Sequence, residues 1–249
     1  MNLIFIRHGD PDYSIDSLTE KGWREAELLS ARATKWDVKE FYCSPLGRAK
    51  DTASLTLNKL NRTAVIHDWL KEFFVPVKDP VTGTDRIAWD FMPGYWTRQP
   101  EFYHKDTWYN APVMQTGNIE AEFDKVKEGI DTLLAEHGYE RTGNFYKVTQ
   151  GNHDTLVFFC HLGAQFVILS HLLGIPAPLL WQGCFVAPTS VTVLTSEERV
   201  PGEAYFRLRT LGDTSHLYVA GEPYSRSGFF QEQFSDNADP EQKITIKSF

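Results

Sequence analysis

Arg7-His8-Gly9, Arg48, Glu72 and His161 each follow a short apolar or β-rich run. The runs are Leu3-Ile4-Phe5-Ile6, Phe41-Tyr42-Cys43, Ala64-Val65-Ile66 and Leu156-Val157-Phe158-Phe159-Cys160. Runs of that length read as buried strands, and parallel strands bring their carboxyl ends to one edge of a sheet. Side chains distant in sequence could therefore meet there. A histidine is a nucleophile near neutral pH. Arginine is a planar, permanently charged clamp for phosphate. Two arginines and a second histidine would neutralise the peripheral oxygens of a phosphoryl group in transfer. A carboxyl group would protonate the leaving oxygen and later take a proton from water. The set suits phosphoryl transfer through a phosphohistidine, with side chains supplying the cations and no metal or other cofactor required.

Each residue also has a plainer reading. Arg7-His8 alone reads as a surface arginine beside a structural histidine. A solvated carboxylate is the default for Glu72, and Glu101, Asp85 or Asp90 could supply the acid instead. His161 could be a satisfied core histidine, although its place past a central strand favours a site. Arg48 in the first turn of a helix opposes the helix dipole, which gains a reason if it holds an anion.

The elements that must position these groups follow in order. A helix is expected from near Leu18, with Ser17 and Glu20 spaced as a capping box. Ser44-Pro45 reads as an N-cap followed by proline at the first helical position. Periodicity fades over residues 73–117, where ten aromatic side chains from Phe73 to Tyr109 alternate with prolines and glycines. That stretch is long for a loop and reads as an insertion that covers the site. The default role for its aromatic residues is packing; stacking of Trp89, Tyr95 or Trp96 on substrate is the weaker alternative. Ile119, Phe123, Val126, Ile130 and Leu133 share one helical face, which Gly138 can close. Phe145-Tyr146-Lys147-Val148 reads as a hairpin arm. A helix should follow His161 to Leu173, with Gly174 as its stop, and residues 190–195 and 204–210 read as later strands. The expected fold is α/β, a three-layer α/β/α sandwich with a mostly parallel sheet. Residues 1–249 are read as one domain.

The chain has 249 residues, 42% of them hydrophobic and 23% charged, which suits a soluble globule with a sizeable core. Its net charge of −8 disfavours nucleic acid and anionic membranes as partners. An anionic substrate would need a local positive pocket. The first apolar run meets Arg7 at once, so no signal peptide is expected, and no run approaches a membrane span. Cys43, Cys160 and Cys184 are widely spaced and odd in number, which suggests a reducing cytoplasm and shows no metal-ligand pattern.

In combination these motifs resemble the histidine phosphatase superfamily, the phosphoglycerate mutase-like family. Arg7-His8-Gly9 is similar to its signature. Leu18-Thr19-Glu20-Lys21-Gly22 resembles the turn into its first helix, and the stretch Ser44-Pro45-Leu46-Gly47-Arg48-Ala49-Lys50-Asp51-Thr52-Ala53 its second motif. Leu70-Lys71-Glu72, His161-Leu162-Gly163 and the run from Gly212 to Leu217 follow in the family's order. The resemblance implies that His8 becomes phosphorylated, that Arg7, Arg48 and His161 bind the phosphoryl group, and that Glu72 is general acid and base. His161 is then better protonated. Leu162 stands where the family has a small residue. Asp10-Pro11-Asp12 follows Gly9 where mutases and many phosphatases carry Ser or Thr and then Asn, which counts against mutase activity. The expected function is hydrolysis of a small phosphomonoester. The alternatives are a phosphoglycerate mutase-type isomerase and a non-catalytic phosphate-binding protein.

Overall fold

The computed structural model of the chain describes residues 1–229. Strand β1 (Asn2–Arg7) leads into a small hairpin of β2 (Pro11–Asp12) and β3 (Ser17–Leu18), then helix α1 (Glu20–Ala33). Next come β4 (Glu40–Cys43), α2 (Gly47–Leu60) and β5 (Val65–Ile66). Residues 73–117 hold a second small hairpin, β6 (Pro76–Lys78) with β7 (Asp85–Ile87), the short helix α3 (Pro93–Trp96) and several single 3-10 turns. Helix α4 (Ile119–Glu136) precedes the hairpin β8 (Tyr139–Thr142) and β9 (Phe145–Val148). Then follow β10 (Thr155–Cys160), α5 (Leu162–Leu173), α6 (Ala177–Gly183), the long pair β11 (Val191–Val200) and β12 (Glu203–Asp213), and α7 (Ser215–Ala220).

Eight strands form the central sheet in the order β5-β4-β10-β1-β11-β12-β9-β8. The block β5-β4-β10-β1 is parallel throughout, and in the rest only β11 and β9 run against it. Strands β4, β10 and β1 of this block are what unbroken apolar runs predict, because both of their faces are covered, whereas Val65 and Ile66 of the edge strand β5 are exposed. Leu3, Phe5, Tyr42, Leu156 and Phe158 pack on one face with residues of α4 and α5. Ile4, Ile6, Phe41, Val157 and Phe159 pack on the other with Leu29 of α1 and Ala49 and Ala53 of α2. Alternate side chains of the same strands thus feed two cores, and the three layers follow from the pleat.

Helix α4 buries Ile119, Phe123, Val126, Ile130 and Leu133, the face that its spacing marks. Gly138 follows it at φ +86°, and Gly174 closes α5 at φ +67°, both in the region glycine favours. The aromatic residues of 73–117 divide. Phe91, Phe102 and Trp108 are buried in the larger core, while Trp89, Tyr95 and Trp96 are half-buried against it. No helix among the described residues is long and apolar enough to cross a membrane.

Two expected caps are not the ones the chain uses. Helix α1 starts at Glu20 with Thr19 as its cap, and the Thr19 hydroxyl accepts from the Gly22 amide. Ser17 instead donates to Asp51 at 2.5 Å. Helix α2 starts at Gly47, with Leu46 in the cap position and no capping side chain of its own. The Ser44 hydroxyl is engaged by His161, at 2.7 Å from Nε2.

Candidate active site

His8 follows the last residue of β1, between the ends of β10 and β11. Its amide donates to the Cys160 carbonyl at 3.0 Å, so the backbone at His8 is tied to the neighbouring strand. The side chain is buried, 1% exposed. Nδ1 lies 2.7 Å from the Gly9 carbonyl oxygen, which can only accept, so Nδ1 carries the proton and Nε2 is bare. The histidine is held neutral: burial pushes its pKa well below the ordinary value, Arg7 and Arg48 push the same way, and the Gly9 carbonyl opposes them. Gly9 lets α1 pack close, because a Cβ there would meet the Gly22 carbonyl oxygen of α1 at 2.8 Å. Its amide donates to Thr52 Oγ1 at 2.9 Å, and Thr52 donates in turn to the Arg48 carbonyl.

The structure brings Arg7, His8, Arg48, Glu72 and His161 together. The His8 and His161 rings lie 5.1 Å apart. Arg7 and Arg48 act electrostatically on both histidines and on Glu72. Arg7 is held by Nη1 donating to the Val186 carbonyl at 2.8 Å. Arg48 is held by Nη1 on Asp16 Oδ1 at 2.5 Å. The Leu46 amide donates to Ser44 Oγ at 3.3 Å, and His161 Nε2 lies 2.7 Å from the same oxygen. Arg7 Nε, Arg48 Nε and His161 Nδ1 are buried with no hydrogen-bond partner. Buried polar atoms are rarely left so.

Glu72 brings a buried carboxyl group to this site. Its Oε1 accepts from the Phe73 amide at 2.8 Å and the Ala164 amide at 3.0 Å. Burial raises its pKa, against the pull of those two amides and of Arg7 and Arg48. Asp85 and Asp90 pair with Lys78 and Arg86 instead. Burial, and then the nearby His8, Arg48 and Arg7, push the His161 pKa well below the ordinary value.

Both helices that open on the pocket lack a cap of their own and borrow a carboxylate from a distant loop. Glu72 caps α5 at Ala164. Asp16 Oδ2 caps α2 at the Gly47 amide, 2.6 Å away. Gly47 is required there, since a Cβ would lie 2.1 Å from the Asp16 carbonyl oxygen. Behind β1, Thr189 sits at φ +57°, a strained conformation for a β-branched residue, and its amide faces the carbonyls of Arg7 and His8 at 3.0 and 3.2 Å. The Thr189 hydroxyl donates to the Pro188 carbonyl, so it accepts from His216 Nε2 at 3.2 Å. Burial, and then Arg32, push the His216 pKa down to about 4, with Asp213 opposing.

Sequence reasoning did not assign Asp16, Ser44, Thr52 or Thr189 to this place. Only Ser44 and Thr52 carried a signal, as neighbours of Arg48 in one motif.

The histidine phosphatase superfamily (branch 1) model matches residues 3–206, and the chain belongs to that family. A 2,3-bisphosphoglycerate-dependent phosphoglycerate mutase of Thermoplasma acidophilum is 38% identical over 79 residues, which is 28% of this chain and 40% of that relative. Solved structures share the fold at lower identity. The mycobacterial glucosyl-3-phosphoglycerate phosphatase has a TM-score of 0.59 at 18% identity, over 85% of this chain and 98% of its own. A phosphoserine phosphatase mutant of Entamoeba histolytica in complex with phosphoserine has 0.56 at 18%, over 87% and 98%.

Proposed function

We propose that this chain is a phosphomonoesterase that works through phospho-His8. The observation that carries the reading is the gathering of a bare His8 Nε2 with two buried guanidinium groups, on Arg7 and Arg48, whose Nε atoms lack partners, and with the unpartnered Nδ1 of His161. His8 Nε2 attacks phosphorus and forms a P–N bond as the bond to the leaving oxygen breaks. Arg7, Arg48 and His161 Nδ1 hold the peripheral oxygens. Glu72, whose pKa burial raises, gives its proton to the leaving oxygen. Water then attacks the phosphohistidine, Glu72 takes its proton, the P–N bond breaks, and phosphate leaves. Once an anion is bound, His161 gains a reason to be protonated that the free pocket lacks.

Residues 73–117 cover the site within a single domain. A Cβ on Gly163 would lie 3.0 Å from Trp89 Nε1, and that indole donates to the Phe73 carbonyl beside Glu72. The substrate is a small phosphate monoester, of the kind that the phosphoserine phosphatase complex contains. A reducing cytoplasm suits Cys43, Cys160 and Cys184, which are all free thiols. The partial match to a mutase supports a second reading, in which phospho-His8 returns its group to the substrate.

The test is hydrolysis of p-nitrophenyl phosphate in EDTA by wild type and His8→Ala, with acid-labile phosphate on the protein trapped after a rapid quench. Activity and label in the wild type alone are expected. Equal activity in both proteins sinks the mechanism. Isomerisation of 3-phosphoglycerate with little free phosphate favours the mutase reading.

A further inference from the structure

Glu25 has no part in the chemistry, yet it is a fully buried carboxylate in α1, 0% exposed. Its Oε2 accepts from the amide of Asp10, two residues past His8, at 3.0 Å. Its Oε1 accepts from the amide of Ser225, also at 3.0 Å. One side chain thus bonds the nucleophile loop and a segment two hundred residues further along the chain. The charged and polar groups around it reinforce the join. Asp10 takes the Ser225 hydroxyl on one oxygen and the Thr19 hydroxyl on the other. Lys21 Nζ lies 3.4 Å from Glu25 and 2.8 Å from Glu222, and also meets the Pro223 carbonyl. Arg24 reaches Glu222 at 3.4 Å.

From that anchor the chain runs onto Arg7. Gly228, at φ +93°, packs so closely that a Cβ would lie 3.1 and 3.3 Å from Arg7 Nη2 and Nη1. The Phe229 ring stacks on Phe185 at 3.8 Å, and the Arg7 guanidinium carbon lies 5.8 Å from the Phe185 centroid.

We propose that Glu25 is a positioning residue that seats residues 222–229 as a strap over Arg7, and that this strap completes the anion pocket on the Arg7 side. The proposal rests on the reading that Arg7 binds the phosphoryl group. Each of the two Glu25 oxygens accepts from an amide, whereas a carboxamide has an oxygen at one end and only a donor at the other. Glu25→Gln therefore leaves the Asp10 or the Ser225 amide facing another donor, inside the protein.

The test uses full-length wild type, Glu25→Gln and Gly228→Ala. The expected result is a rise of roughly ten-fold in KM for p-nitrophenyl phosphate and in Ki for inorganic phosphate, the size of one lost charged hydrogen bond, with kcat largely retained. Trypsin cleavage after the exposed Arg226 should also become faster in Glu25→Gln, with the circular dichroism spectrum unchanged. Gly228→Ala tests the same contact without touching the buried carboxylate, so it stands even if Glu25→Gln folds poorly. Unchanged phosphate Ki in Gly228→Ala, or in a folded Glu25→Gln whose cleavage after Arg226 is accelerated, overturns the proposal. So does a loss confined to kcat. If the wild type hydrolyses no ester, the phosphatase reading fails by itself. Calorimetric titration with inorganic phosphate then decides the strap: weaker binding in both variants supports it, and unchanged binding overturns it.

Discussion

Glu72 and Gly163 are packed so that a methyl group on the glycine would lie 2.6 Å from Glu72 Oε1. The carboxyl group passes across the first turn of α5 on its way to the Ala164 amide, and only hydrogen leaves it room. Gly163→Ala should push Glu72 off that amide. Displacement of an acid by about 1 Å costs on the order of a hundred-fold in rate. The expected outcome is that kcat falls by that order while the melting temperature moves little. A variant as active as wild type would show that Glu72 can give way freely.

The leaving group offers a sharper test of Glu72. p-Nitrophenolate leaves without a proton, whereas an alkoxide does not. Glu72→Gln should therefore slow hydrolysis of phosphoserine by roughly 10²–10⁴-fold, the usual contribution of a general acid, and that of p-nitrophenyl phosphate much less. Rates of formation of the phosphoenzyme for the two esters measure the difference. Equal losses would assign the acid to another group.

The pH profile should follow from the same two residues. His8 must be neutral to attack, and its pKa is pushed well below the ordinary histidine value. Glu72 must be protonated, and its pKa is raised. The acid limb of kcat/KM should thus lie below that of a free imidazole, and the alkaline limb above that of a free carboxylate. In Glu72→Gln the alkaline limb should disappear.

Glu25 makes stability depend on pH in a sense unusual for a carboxylate. Burial raises its pKa from 4.5 to about 7, with Lys21 and the Asp10 and Ser225 amides opposing. Its folded-state value exceeds the unfolded one, so its contribution is complete below about pH 4.5 and is lost as pH rises through 7. Wild type should lose on the order of 3 kcal/mol relative to Glu25→Gln over that interval. Urea unfolding of both proteins at pH 5 and pH 8 measures it, and a difference independent of pH would contradict it.

Asp16 should matter to the fold as a cap. Removing an N-cap partner costs about 1 kcal/mol. Asp16→Ala frees the Gly47 amide and Arg48 Nη1 together, so a loss of that order should accompany a higher KM. A lowered melting temperature with unchanged KM would limit Asp16 to the helix.

Much of this arrangement is legible in the chain. The strands that carry Arg7-His8 and His161 are buried on both faces, so their unbroken apolar runs mark them, and glycine stops are local signals that hold at Gly138 and Gly174. What the chain hides is non-local. Ser44 has the composition of an N-cap, but its hydroxyl is claimed by a histidine over a hundred residues away. Ser17 has it as well, but bonds Asp51. The partner of the Gly47 amide comes from a loop with no helical pattern. The polar segment after Gly221 has no periodicity, because Ser225 and Gly228 are fixed by Glu25, Asp10 and Arg7 and not by a face of their own.

The cap that Glu72 lends to α5 gives the reaction a mechanical side. Ionised, the carboxylate complements the positive end of that helix; protonated, it does so less well. On the reaction proposed above, Glu72 starts each turnover protonated, becomes an anion as the leaving group departs, and is reprotonated when water is consumed. The first turn of α5, beside His161, is therefore firmest while the phosphohistidine exists and loosest when substrate must enter or phosphate must go. A single proton then sets both the charge of the pocket and the stiffness of its wall, once per catalytic cycle.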